Sequence, residues 1–342
     1  MRISIIGSGI SGLTCAVLLR DKHKDCKIDI YEKRKNEIGG NCFDILNKRS
    51  YHQKYGPHIF HTNNTEVWDF LNRFSDFEYY QHKVVSYING QLQKIPLHEN
   101  DVSLKEVNIS EFNNAQDYLY NYIGEELTKS YFKNYSEKQW GIDFNKLPVD
   151  IVKRIPLNKN DEDRYFPNER FQGIPSLGFT TLCKNMLKYS KAKIFYKKIN
   201  YNNLPESDLI IFTGLIDDFF DYKYGKLKYR YIDFKFKQYD RFDQDYAVVN
   251  YPNDYDFTRI TKYSNFLKNY SFKSEIIGFE YPSDNEKFEP CYPIFWDIES
   301  RQIFEKYNNI DKNILFIGRL ASYQYLNIDK AIENVFKVIK NI

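Results

Sequence analysis

The sequence predicts an α/β protein: a discontinuous Rossmann-like domain interrupted by a helical domain and by an antiparallel β-sheet domain. Three observations carry this. The first forty residues hold a strand, a glycine turn, a helix and a second strand that ends on an acid. Two later apolar strands, each closed by a glycine, read as returns to the same sheet. Before the first of those returns the hydrophobic period is helical over a long stretch, and between the two it alternates.

The elements follow in chain order. Arg2-Ile3-Ser4-Ile5-Ile6 reads as a buried strand feeding Gly7-Ser8-Gly9-Ile10-Ser11-Gly12 and then a helix pattern to Leu19. Gly7 permits the tight turn, Gly9 lets backbone approach a pyrophosphate, and Gly12 lets helix pack on strand; the amides opening the helix, Ser11 among them, receive the negative charge. Ile28 to Tyr31 is the second strand, and Glu32 at its end is placed to accept hydrogen bonds from a ribose. Lys33, Arg34 and then Gly39-Gly40-Asn41 extend the pattern. A basic residue and a double glycine after the acid form the signature of FAD-binding proteins of the glutathione-reductase type, so FAD is expected rather than NAD. The double glycine would let another backbone segment lie against the dinucleotide, and Arg34 can reach a phosphate or the adenine side.

Asp208-Leu209-Ile210-Ile211-Phe212-Thr213-Gly214 is expected as a further strand of the parallel sheet, and Asn313-Ile314-Leu315-Phe316-Ile317 as another, followed by Gly318, Arg319 and a helix from Ile328. That last helix would begin at the cofactor. The pattern from Leu104 to Trp140 is helical, whereas segments such as Tyr229 to Phe236 and Tyr246 to Tyr251 alternate like antiparallel strands. The expected division is therefore 1–78, 175–224 and 311–342 for the FAD-binding domain, 99–153 for the helical domain, and 79–98, 154–174 and 225–310 for the sheet. The polar stretch near 154–167, flanked by Pro156 and Pro167, is expected as a mobile loop.

Composition narrows the classes. With 342 residues, 42% of them hydrophobic, the chain can bury a large core over two or three domains. A formal charge of +3 does not argue for nucleic acid as a partner. The apolar start to Leu19 is broken by three glycines and lacks a small-residue cleavage site, so it reads as fold rather than as a secretory signal, and no stretch reaches the ~18 apolar residues of a membrane span. Cys15, Cys26, Cys42, Cys183 and Cys291 form no CxxC pair; they indicate neither a zinc site nor a disulfide framework, and a reducing cytoplasm fits. Aromatic residues make up 18% of the chain, 30 of them tyrosines, a residue suited to stacking on flat rings and donating to phosphates.

Several ordered segments resemble UDP-galactopyranose mutases. They are Tyr55-Gly56-Pro57-His58-Ile59-Phe60-His61-Thr62, Tyr135-Ser136-Glu137-Lys138-Gln139-Trp140-Gly141, Val152-Lys153-Arg154-Ile155-Pro156, Phe171-Gln172-Gly173-Ile174-Pro175, Phe257-Thr258-Arg259-Ile260 and Gly318-Arg319-Leu320-Ala321-Ser322-Tyr323-Gln324-Tyr325. The resemblance spans nearly the whole chain. It implies an isomerase that contracts UDP-galactopyranose to UDP-galactofuranose reversibly, supplying a furanose donor for surface-glycan synthesis. N5 of reduced FAD would hold the sugar covalently while the protein supplies position and electrostatics.

By the same resemblance Arg154 and Arg259 flank the diphosphate. His61 approaches the flavin, His58 and Ile59 lie against it, and His58 also faces the sugar. Tyr135 lies along the uracil, Trp140 borders the sugar, and Tyr165, Tyr292 and Tyr325 point hydroxyls at phosphates. Asn250 contacts substrate, while Arg319, Tyr325, Asn327 and Ile328 belong to the FAD side. The resemblance implies a homodimer contact through the helical region, but that region is shorter here than is usual, which leaves the dimer open. The chain departs from the family at Asn327, at Cys291, at Lys262-Tyr263 and at Asp256-Phe257. Another UDP- or dTDP-linked hexose therefore stays open as substrate, as does an FAD-dependent oxidoreductase of the amine-oxidase or desaturase type.

Overall fold

The computed structural model describes residues 1–95, 97–98, 107–152, 157–158, 162–310 and 313–342. Its centre is a five-stranded parallel sheet in the order Lys193–Tyr196, Lys27–Glu32, Arg2–Ile6, Leu209–Phe212, Ile314–Phe316. Strand alternation sorts its side chains onto two faces. Ile3, Ile5, Ile28, Ile30 and Ile211 join helices Ile10–Lys22, Gly178–Ser190 and Ile328–Lys340 in one buried core. Ile6, Phe212 and Ile314 join a second core on the other face with Phe219, Phe220 and Tyr307.

Tyr307 corrects one expectation. The expected sheet domain takes in all of 225–310, yet Ile298–Asn308 is a helix whose Tyr307 ring stacks on Phe220 at 5.7 Å, so this segment covers the Rossmann sheet. Asp297 caps its start, its side chain accepting from the Ser300 amide at 2.9 Å.

The large sheet has seven strands, in the order Cys291–Pro293, Tyr229–Tyr239, Glu275–Ser283, Arg259–Lys262, Val248–Asn250, Val84–Ile88, Gln91–Ile95. It is antiparallel except that Val248–Asn250 runs parallel to Val84–Ile88, a pairing that joins two distant segments and that no hairpin signal could announce. The segment 171–174, expected within the sheet domain, belongs to a strand that pairs instead with Phe60–Thr62 and Phe77–Tyr79 of the Rossmann side. Gly173 makes this possible, because a Cβ there would fall 2.6 Å from the Glu78 carbonyl oxygen.

Helices Ala115–Tyr122, Glu125–Thr128 and Asn134–Trp140 form the helical unit, with a π-helical segment at Lys129–Lys133 leading into the last of them. Leu119, Phe132, Trp140, Phe144 and Leu147 are its core. Gly141, at φ +70°, ends the helix by donating its amide to the Glu137 carbonyl at 2.8 Å.

Candidate active site

The glycine turn opens a cavity at the carboxyl ends of the parallel strands, where open α/β sheets hold ligands. Gly7, at φ +111°, and Gly12 are required by the protein itself. A Cβ at Gly7 would lie 2.1 Å from Thr213 Oγ1, and one at Gly12 would lie 2.1 Å from the Gly7 carbonyl oxygen. Gly9 differs. Its φ is −72° and the nearest heavy atom to an added Cβ is Gly40 Cα at 3.7 Å, so nothing in the fold demands glycine there. Gly40 at φ +61° and Gly39 at φ +118° bring their backbone alongside Gly9, with the Gly39 amide bonding the Ser8 carbonyl at 3.0 Å. The result is a cradle of bare backbone over the helix N-terminus.

The acid and the bases around this cradle are already engaged with one another. Glu32 Oε2 accepts from the Ser8 amide at 2.9 Å and the Ser8 hydroxyl at 2.8 Å, and Oε1 accepts from the Arg34 amide at 2.8 Å. One lone pair of Oε1 is left for a ribose hydroxyl. Lys33 and Arg34 both reach Glu289, at 2.9 and 2.8 Å, and Arg34 lies 4.0 Å over the Tyr55 ring and 3.4 Å from Asn41 Oδ1. Burial raises the Glu289 pKa, but Arg34 and Lys33 outweigh it and hold the carboxyl below its ordinary value.

Ser11, His58, Arg319, Asn327 and Ile328 also line the cavity. Gly318 passes so close that a Cβ on it would lie 2.8 Å from Ser11 Oγ. His58 Nδ1 bonds the Gly56 carbonyl oxygen at 2.8 Å; burial, helped by Arg319, lowers its pKa to about 4 and keeps the ring neutral. Ile59 is half-buried against the main core. Arg319 donates Nε to the Leu326 carbonyl at 2.9 Å, with its guanidinium 5.2 Å from the Tyr292 ring centre and 5.1 Å from that of Tyr325.

A second polar group is assembled by strand register. Asn250 pairs with Arg259, and Arg259 pairs with Glu280, so three neighbouring strands place these side chains in one row on one face. Arg259 donates Nη2 to the Tyr135 hydroxyl at 2.9 Å and Nε to Asn250 Oδ1 at 3.2 Å, while Nη1 stands 3.6 Å from Glu280 Oε2. Burial works against the Arg259 charge, but Tyr135, Glu280, Tyr165 and Tyr292 reverse the effect and raise its pKa. Burial likewise pushes Tyr135 up to about 12 and raises the Glu280 carboxyl against the pull of Arg259. Tyr292 is common to the two groups: its ring lies 5.2 Å from the Arg319 guanidinium, and burial raises the pKa of its hydroxyl against the pull of Arg319 and Arg259.

The remaining expected residues divide. Tyr165 meets His82 at 5.7 Å between ring centres and lies in the field of Arg259. Trp140 is buried in the helical core, edge-on to Trp296 at 4.7 Å, in the same cluster against which Tyr325 packs. His61 is not among the described residues lining the cavity. It stacks on Phe166 at 3.8 Å with Nδ1 3.7 Å from Glu169 Oε1, because the Phe60–Thr62 strand turns its middle residue away from its buried neighbours. Arg154, and the expected loop from 154 to 156 and from 159 to 161, lie outside the described residues.

Sequence reasoning missed Glu280, Glu289, His82 and Lys138. Glu289 and Lys138 reach their partners through contacts more than 100 residues away in the chain, and Glu280 and His82 through burial; Lys138 alone lies in a family-like segment, which gives it no role of its own. The one readable hint is a lone acid, Glu280, in the apolar run Ile276-Ile277-Gly278-Phe279.

Comparison with known proteins draws these features together. The sequence profile of UDP-galactopyranose mutase matches residues 130–325, and that of an NAD(P)-binding Rossmann-like domain matches residues 5–74. The chain belongs to the UDP-galactopyranose mutase family. It is 33% identical to a dTDP-fucopyranose mutase of Escherichia coli over 99% of both chains, and 32% identical to a probable UDP-galactopyranose mutase of Klebsiella pneumoniae over 98% of this chain and 93% of the relative. A crystal structure of reduced UDP-galactopyranose mutase superposes with a TM-score of 0.77 at 15% identity, covering 99% of this chain and 93% of that one, which establishes the shared fold. A zeta-carotene desaturase of Capsicum annuum matches over only 18% of this chain.

FAD is the cofactor of this mutase fold, and the residues present fit it. Gly9 is free of any packing demand of the protein, the cradle around it is bare backbone, and Glu32 keeps an open acceptor position. Among the described residues no group of histidine, cysteine, aspartate and glutamate is arranged to hold a metal ion, and no helix is long and apolar enough to cross a membrane.

Proposed function

We propose that this mutase interconverts the pyranose and furanose forms of a nucleotide-linked hexose, with UDP-galactopyranose as its substrate. The observation that carries the proposal is the half-buried Arg259 guanidinium, oriented by Tyr135 and Asn250, with Tyr292 in its field and against the Arg319 that lines the dinucleotide cavity. Ring contraction breaks the bond between the anomeric carbon and the diphosphate, opens the ring and closes it through another hydroxyl. When bound and reduced, FAD supplies the nucleophile that holds the anomeric carbon meanwhile.

The chain's own residues meet the rest of the demand. Arg259, joined by Arg154, neutralises the departing diphosphate, and a guanidinium fork suits paired phosphate oxygens. Tyr135 offers an aromatic face for the base while its hydroxyl holds Arg259. Tyr165, Tyr292 and Tyr325 serve the phosphates, and the neutral His58 ring contributes a dipole rather than a charge beside the flavin. Trp140 closes the sugar side from the helical unit. No net oxidation is involved.

A second substrate reading has its own support, since the 33% identical relative from Escherichia coli is a dTDP-fucopyranose mutase. A dTDP-linked deoxyhexose is thus the alternative. The five cysteines are free and buried, in keeping with a reducing cytoplasm.

Incubating the dithionite-reduced protein with a panel of UDP- and dTDP-linked hexoses, followed by chromatography, tests both readings. Furanose product from UDP-galactopyranose supports the first, and preferential conversion of a dTDP-sugar supports the second. Conversion of neither removes the mutase reading for this chain, and full activity in air without reductant removes the role of the reduced flavin.

A further inference from the structure

The hairpin that carries Asn250 and Arg259 turns through residues 251–258, and helix Asn134–Trp140 is bonded to that turn. Lys138 sits one helical turn after Tyr135, hence on the same side of the helix. Its ammonium donates to three carbonyls of the turn: Tyr251 at 2.6 Å, Tyr255 at 2.8 Å and Phe257 at 3.2 Å. An ammonium carries three protons, and here each has an acceptor. Asn253 adds two ties, accepting from Asn134 Nδ2 at 2.8 Å and donating to the Ser130 carbonyl at 3.0 Å.

The helix is fixed at its other end as well. Arg230 donates Nη2 to the Lys138 carbonyl at 2.8 Å and Nε to the Gln139 carbonyl at 3.0 Å, and pairs with Asp284. Tyr135 can meet the Arg259 guanidinium only if helix and hairpin keep this register.

We propose that Lys138 is a positioning residue: by caging three carbonyls of the 251–257 turn it locks the helix bearing Tyr135 to the hairpin bearing Arg259, and so sets the direction in which Arg259 faces the diphosphate. The assignment rests on the proposal above that Arg259 meets that diphosphate. The groups facing the ammonium from the turn are Asp254, Asp256 and the tyrosines 251 and 255. On its own helix, Glu137 is engaged with the Phe144 amide at 3.0 Å, and Arg230 reaches in from the sheet. Burial pulls the Lys138 pKa down to about 8, with Asp256 and Asp254 pulling the other way. A neutral amine has two protons to donate, so deprotonation leaves one of the three carbonyls without its partner.

The test uses the full chain with FAD bound, as wild type, K138M, K138R and R259A. It measures amide hydrogen exchange over residues 248–262 and kcat/KM for the converted nucleotide sugar from neutral to alkaline pH. In K138M, exchange across 251–259 should quicken about tenfold, and kcat/KM should fall about tenfold, as expected when a catalytic group is misplaced by a fraction of an ångström, with flavin content unchanged. K138R keeps the charge, so it should restore most of the protection and move the alkaline fall of kcat/KM to higher pH. Should K138M not fold, the wild-type pH series decides, since exchange of the turn must quicken beyond its intrinsic base dependence as Lys138 deprotonates.

Wild-type exchange in K138M, a loss of kcat/KM without faster exchange, or an alkaline limb unchanged in K138R overturns the proposal. Wild-type turnover in R259A would count instead against the diphosphate role of Arg259, while the exchange measurement still decides the cage.

Discussion

Asn250 and Arg259 face one another across adjacent antiparallel strands, and Asn250 Oδ1 accepts from Arg259 Nε at 3.2 Å. The Tyr135 hydroxyl accepts from Nη2 at 2.9 Å, so the protein fixes two of the three guanidinium nitrogens. The third, Nη1, faces Glu280 at 3.6 Å, a contact rather than a hydrogen bond.

Arg259→Ala should therefore lower turnover by about a hundredfold or more, on the scale of removing an oxyanion donor, without loss of FAD. Arg259→Lys should recover only part, since a point charge does not reproduce a fork. Product formation and the flavin spectrum, measured side by side, check this. Turnover near wild type in the alanine variant would take Arg259 out of the mechanism.

Tyr135→Phe keeps the ring and deletes one acceptor of the half-buried Arg259 cation. Loss of such a charge-assisted bond corresponds to roughly a tenfold fall in kcat/KM. UDP affinity measured by titration should fall with it. Unchanged values for both would mean that the hydroxyl does not orient Arg259.

Two glycines separate cofactor from fold. Gly9→Val should leave the protein folded but strip its flavin, because the space beside Gly9 is closed by a ligand rather than by protein. Gly12→Ala should lower the melting temperature, since its methyl would press on the Gly7 carbonyl. Flavin absorbance and thermal melts of the two variants distinguish these outcomes. Normal flavin content in Gly9→Val would contradict the cradle.

Acid should destabilise the fold through its buried histidines. Burial lowers His58 to about 4, and burial together with Arg259 and His61 lowers His82 to about 3. Both folded values lie below the unfolded one of about 6.5, so the unfolded chain takes up these protons first. The stability they confer is complete above that value and is lost as pH falls from there through the folded values. His82→Phe should flatten the acid limb of melting temperature against pH. An unchanged limb would assign the acid loss to other groups.

Much of the Rossmann half was legible because its rules are local. Gly7 needs a positive φ, Gly12 needs helix to touch strand, and the strands at Leu209–Phe212 and Ile314–Phe316 and the helix at Ile328–Lys340 are runs with a clear period. The alternating segments announced the large sheet for the same reason. The strand Lys193–Tyr196, largely exposed at the sheet edge, offered no such run and was not read.

What the sequence determined by itself, then, is the dinucleotide cradle, the mixed architecture and the set of residues, among them Arg259, Tyr135 and Asn250, whose resemblance to a family gave them roles. Tertiary structure alone decided which of them meet. It turned His61 out of the cavity toward Phe166, moved 171–174 and 298–308 onto the Rossmann side, and put Glu280, Glu289 and Lys138 into contact with the site and its supports. The physical reason is that periodicity and turn chemistry record each residue's own backbone, whereas register across strands distant in sequence is set by burial and pairing of the whole chain. Ser86, Asn250, Arg259 and Glu280 stand in one row of the large sheet, yet the chain separating the first from the second is 163 residues long.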